Sequence, residues 1–173
     1  MRRAFVSCLS IALGIAGFSP PAAQSNGQLP AHFSIVRVDV ERELVVVRNE
    51  GQTRGNLGNW LILSLRKDGR LQQLFRFPAL CLVDPGVEVQ VHSGSDAWDL
   101  RNRNDLCWPW QRRSTIHLYW DVSGNQPGVW IRGDRACLVD ARRVLQDVWV
   151  APPDPPEEAQ KQCNRVLTAA HGS

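Results

Sequence analysis

The fold class predicted by this sequence is an all-β domain, on three observations: apolar residues recur at alternate positions, turn sequences separate the runs, and no heptad repeat appears. The densest stretch runs from Leu57 to Gly94. Leu57, Trp60, Ile62 and Leu65 occupy roughly alternate positions while Leu61 and Leu63 fill the opposite face, which predicts a strand buried on both sides. Asp68-Gly69 supplies a tight hairpin turn. Leu71, Leu74, Phe75 and Phe77 form the return strand, and Pro78 ends it because proline has no N–H for a ladder. Asp84-Pro85-Gly86 makes the next turn, since proline presets its φ and glycine accepts a positive one. Val87, Val89 and Val91 then alternate with Glu88, Gln90 and His92, the pattern of a strand with one wet face.

Upstream, Phe33, Ile35, Val36, Val38 and Val40 predict a first strand and Leu44 to Val47 a second, a pair expected to close at Asn49-Glu50-Gly51. Downstream, Ser93 to Asn104 reads as a polar loop. Ile116, Leu118, Trp120 and Val122 form a further apolar run inside Pro109–Gly128, expected to be an inserted hairpin or extended loop that Gly124-Asn125-Gln126-Pro127-Gly128 turns back. Pro152 to Pro156 breaks any ladder and predicts an extended linker. From Glu157 to Ala170 a short helix is expected, with Pro156 at its start and Glu157 and Glu158 at its positive end.

Taken in order, the Gly58-Asn59-Trp60 turn, the Phe75-Arg76-Phe77-Pro78 step and Asp84-Pro85-Gly86 resemble the lamin tail domain. The likeness extends back to Arg48-Asn49 and forward through Asp105-Leu106-Cys107-Trp108, Val129-Trp130, Gly133-Asp134 and Ala136 to Asp140, covering about residues 33 to 150. It departs at Pro109–Gly128 and at Ala141-Arg142-Arg143, where the family usually carries a glycine after the acid, which leaves the register of a last strand, Val144 to Val150, open. The resemblance implies an immunoglobulin-like β-sandwich at residues 31–150, between an apolar leader and linker (1–30) and a Pro-rich tail (151–173). It implies core positions at Trp60, Phe77, Trp108 and Trp130. Functionally, it implies a non-enzymatic structural or adaptor module at the nucleus or nuclear envelope, with protein partners, weak nucleic-acid or chromatin contact, no cofactor and no catalytic residues.

The amino terminus introduces a second expectation. Met1-Arg2-Arg3 followed by an apolar run from Ala4 to Phe18 has the charged start and short hydrophobic stretch of a secretory signal, and the run is too short to span a bilayer comfortably. An unstructured amino terminus is the competing reading. The five cysteines are Cys8, Cys81, Cys107, Cys137 and Cys163; removal of residues 1–24 would discard Cys8 and leave an even four. Two disulfides outside the cell, or free buried thiols in a reducing compartment, both fit that count. A secreted or surface-exposed module stabilised by disulfides among Cys81, Cys107, Cys137 and Cys163 is therefore the alternative to the nuclear adaptor.

Composition narrows the surfaces rather than the chemistry. The formal charge is +3 and eighteen of the twenty cationic side chains are arginine, the lysines being Lys67 and Lys161. Trp98, Trp110 and Trp120, beside Arg101, Arg103, Arg112 and Arg113, form a candidate partner-binding patch, because tryptophan and arginine dominate interface hot spots and also suit phosphate pairing and base stacking. Packing of the insertion against the domain is the competing account of those side chains. His32, His92, His117 and His171 are scattered at spacings that make no metal-ligand set, and no metal is expected. Asp84, Asp105, Asp134 and Asp140 fall at turns or strand ends, where acids ordinarily satisfy backbone donors. No nucleophile elbow or phosphate loop is present, so enzymatic chemistry is not expected.

Overall fold

The computed structural model describes residues 29–94, 107, 114–120, 129–130 and 133–171. Its strands are β1 (Phe33–Asp39), β2 (Leu44–Asn49), β3 (Gly55–Asn56), β4 (Leu61–Leu65), β5 (Leu71–Arg76), β6 (Leu82–Val83), β7 (Glu88–His92), β8 (Thr115–Tyr119), β9 (Arg135–Val139) and β10 (Leu145–Val150), followed by the helix α1 (Pro156–His171). They form an all-β fold of three small sheets, in the orders β1-β2-β7-β8, β10-β9-β4-β5 and β3-β6. Every pairing is antiparallel except β7 with β8.

One apolar cluster is shared by the two four-stranded sheets. The first contributes Phe33, Ile35, Val38, Val45, Val47, Val89, Val91, Ile116 and Leu118; the second contributes Ile62, Phe75, Ala136 and Leu138. A bulge decides how β1 takes part. Phe33 and Ile35 share one parity and Val38 the other, and the register shift between Ile35 and Arg37 turns all three toward the core. The bulge also leaves the Ile35 N–H to be met from across the sheets, and Asp147 Oδ2 accepts it at 2.6 Å.

The second sheet has two apolar faces. Strands β4 and β9 are buried at every position, and Leu61, Leu63, Leu65, Cys137 and Val139 point away from the shared core. Helix α1 covers them with Cys163 and the partly buried Val166 and Leu167. A second bulge, between Leu145 and Asp147, brings both Leu145 and Val148 to the helix side while Trp149 packs inward. The Cys137–Cys163 disulfide ties the helix to β9, with the two Cα atoms 6.1 Å apart. Cys81–Cys107 forms the other bridge, and each closes a separation of 26 residues. On loop entropy alone, a closure of that length contributes about 3 to 4 kcal/mol.

Most turns form where the residues indicate. Gly69, at φ 82°, completes the β4–β5 hairpin, with its N–H donating to Arg66 O and Asp68 Oδ1 accepting from Arg70 N. Gly86, at φ 75°, follows Pro85, and Val87 N donates back to Asp84 O. Without a glycine, the Asp140–Val144 turn places Arg143 at φ 69° and holds it with the Asp140 carboxylate, which accepts from Arg142 N and Val144 N. That fixes the register left open above: Leu145 faces Val139.

Three expectations are corrected. The β1–β2 hairpin closes at residues 40–43, where Glu43 takes φ 49°; Asn49 lies at the far end of β2, opposite Phe33. Residues 115–119 of the expected insertion form a strand of the first sheet, paired parallel with β7 and last in that sheet among the described residues, placing Ile116 and Leu118 in the core; residues 109–113 and 121–128 lie outside the described residues. The Pro152–Pro156 stretch is not extended: Asp154 N donates to Ala151 O in a turn, and the helix after it folds back onto the second sheet.

Asn49 is fully buried and uses its whole amide. Its Oδ1 accepts from His32 N and Gly51 N, and its Nδ2 donates to Thr53 O and Val83 O, so one side chain ties the entrance of β1 to β6. Replacing Asn49 with alanine strands these backbone groups, and we expect a loss of about 2 to 4 kcal/mol in denaturant unfolding with the disulfides intact.

Candidate functional site

The side of the first sheet opposite the shared core carries polar and aromatic side chains of β7 and β8 beside the buried Leu44 and Val46 of β2. Alternation along β7 sends Val89 and Val91 inward and leaves Glu88, Gln90 and His92 on the opposite face, half-buried. Thr115, His117 and Tyr119 repeat the pattern on β8. The parallel register sets Glu88 beside Thr115, Gln90 beside His117 and His92 beside Tyr119. Antiparallel pairing on the other flank sets Arg48 opposite Glu88.

Two interactions organise this face. Arg48 donates to Glu88, and that hydrogen bond holds the Glu88 carboxyl below its ordinary range and the Arg48 guanidinium above its own. Partial burial opposes the shift at Glu88, while a hydrogen bond from Gln90 and the charge of Arg37 add to it. At the other end, His92 stacks on Tyr119 with ring centroids 5.2 Å apart and meets His117 edge to edge, the two ring centroids 5.3 Å apart. His92 Nε2 and His117 Nδ1 stand 3.0 Å apart. His92, His117 and Tyr119 each make further interactions.

The end of the face is held by Glu43. Its Oε2 accepts from Ser93 Oγ at 2.8 Å and from Trp130 N at 3.0 Å, and its carbonyl accepts from Ser93 N at 2.7 Å. Trp120 N donates to His92 O at 2.7 Å. The first hairpin, the end of β7 and the Trp120–Trp130 pair are thereby joined, with those two rings edge-to-face at 5.9 Å. These groups position strands and are half-buried or buried, so they read as a frame rather than a reacting centre.

Of the expected patch, only Trp120 lies among the described residues, and it is 4 % exposed, packed against Phe75 and Trp130. Trp120 therefore belongs to the core and is withdrawn from the contact surface. Trp98, Arg101, Arg103, Trp110, Arg112 and Arg113 lie outside the described residues. Among the expected core positions, Phe77 and Trp130 are buried, Trp60 is partly buried with its ring edge-on to Phe33, and Trp108 lies outside the described residues. Asp84 accepts from Arg54, and Asp140 caps its own turn.

The four cysteines expected to pair outside the cell are bonded as Cys81–Cys107 and Cys137–Cys163, all four buried. Among the described residues, no cluster of three or more His, Cys, Asp or Glu is arranged to hold a metal, and no helix is long and apolar enough to cross a membrane. The His92–His117 approach escaped the sequence reading, because 25 residues separate the two and only the β7–β8 register brings them together. The available signal was their shared position on the polar side of two alternating strands. No protein-family model matches the chain, and no curated protein matches its sequence.

The Arg48–Glu88 pair has a definite pH signature. Because the folded carboxyl titrates below its unfolded range, its contribution is present above the unfolded value and disappears as pH falls through the folded one. Glu88→Gln is expected to lower stability slightly at neutral pH, in a salt-sensitive manner. Its unfolding curve and the parent's should converge in acid below the ordinary carboxylate range; a gap that persists there would point to lost packing instead.

Proposed function

We propose that this chain is a secreted or surface-exposed, immunoglobulin-like binding module whose folded state is secured by disulfides. The carrying observation is that all four cysteines between residues 81 and 163 are paired in two buried bridges. Such bridges persist in oxidising compartments and are rare where thiol reductants dominate. The charged and apolar start at Met1–Phe18 supports the same reading, since export would remove Cys8 and leave no unpaired thiol. Two four-stranded sheets contributing to one core support the sandwich architecture.

The nuclear adaptor reading rests on the lamin-tail resemblance alone. A reducing nucleus would leave the four thiols unpaired, and for that reason the exported module is preferred. The reading is tested by intact mass of the protein from its native compartment, alkylated before and after reduction. We expect loss of about the first two dozen residues and thiols that react only after reduction. A full-length species with freely alkylated cysteines would overturn export.

For contact, we assign the tryptophan and arginine segment that includes Trp98, Arg101, Arg103, Trp110, Arg112 and Arg113, whose residue types suit a protein partner and, more weakly, a polyanion. Arg112→Ala with Arg113→Ala should elute from heparin at lower salt than the parent while melting at nearly the same temperature. Unchanged elution would return both residues to ordinary solvated surface.

A further inference from the structure

We propose that the tip of the β4–β5 hairpin, through Arg66, Lys67 and Arg70, is a docking site for a sulfated polysaccharide. The choice of a polysaccharide rests on the exported-module reading, whereas the cationic tip stands without it.

The turn sets three cations within five consecutive residues, with Asp68 the acid among them. All four charged side chains are exposed, Arg70 to 82 %. Leu65 pairs with Leu71 and Arg66 N donates to Arg70 O at 2.9 Å, so the two arginines stand opposite each other across the mouth of the turn. Like charges in that relation destabilise a hairpin. Asp68 offsets them only in part, since its Oδ1 accepts from Arg70 N at 3.0 Å and its Oδ2 lies 3.6 Å from Arg70 Nε. On the adjoining helix Glu158 pairs with Arg165, and in the turn before it Asp154 pairs with Arg135, so these acids do not cancel the tip. An anion held between the two guanidinium groups would relieve the repulsion.

The tip is also fixed in place. Gly69 N donates to Arg66 O, and the buried Arg135 donates to Lys67 O at 2.7 Å. Gln162 of α1 packs so closely that a Cβ at Gly69 would lie 3.0 Å from its side chain. A charged polymer can therefore bind without first ordering this backbone. Guanidinium forks suit the paired oxygens of tetrahedral oxyanions. Residues 66–70 include no aromatic side chain on which a base could stack, which favours a sulfated sugar chain over single-stranded nucleic acid.

The test follows binding of a heparin-derived oligosaccharide to the intact, oxidised full chain, by backbone amide resonances and by affinity across a salt series. We expect the largest shifts at residues 66–70. R66Q/R70Q should lower the slope of log affinity against log salt by roughly two and K67Q by roughly one, because each lost cation removes one contact that releases counterions. The double variant should melt no lower than the parent, since it removes a like-charge pair. Affinity unchanged in both variants, shifts confined to residues 98–113, or tighter binding of a single-stranded DNA of equal charge would overturn the proposal. If R66Q/R70Q fails to fold, K67Q and the shifts in the unsubstituted protein decide. The assay uses purified protein, so failure here condemns the tip, whereas a retained leader with free thiols by intact mass condemns export.

Discussion

A sheet whose central strands are apolar on both faces must be covered twice, and that constraint organises this molecule. Strands β4 and β9 bury every residue. Their inner side chains meet the first sheet, while Leu61, Leu63, Leu65 and Val139 on the outer side require another layer. Helix α1 supplies it, and the buried Cys137–Cys163 bridge keeps it there. An amphipathic helix of sixteen residues is marginal by itself in water, so the sheet and the bridge do most to stabilise it. The relation is mutual, because without the helix the second sheet would expose a continuous apolar strip.

Polar side chains complete the frame where the strand ladders stop. Asn49 joins the entrance of β1 to β6, Asp147 meets the amide beside the β1 bulge, and Glu43 ties the first hairpin to Ser93 and Trp130. Arg135, almost wholly buried, donates to Lys67 O and pairs with Asp154 in the turn before α1. Each of these contacts spans elements distant in sequence. Buried groups of this kind contribute most through what their loss would strand, an unpaired amide or charge.

The Cys137–Cys163 disulfide closes the outer apolar side of the second sheet, whereas the parallel pairing of β8 with β7 brings His92 and His117 together on the first. Parallel pairing needs a long crossover, so β8 reads along the chain as an excursion rather than as a sheet strand.

The sequence by itself determined what is local. Alternation placed β7, two-sided apolarity placed β4, Asp68-Gly69 and Asp84-Pro85-Gly86 placed their turns, and Pro156 with Glu157 and Glu158 placed the start of α1, because each depends on backbone preferences within a few neighbours. Only the tertiary structure decided which cysteines pair, that Trp120 is core, that residues 115–119 are a sheet strand, and that His92 faces His117. These are matters of register and crossover. Two bulges of one residue each reverse which side chains face inward, and a parallel edge strand brings together residues 25 apart, so neither outcome is written in local spacing.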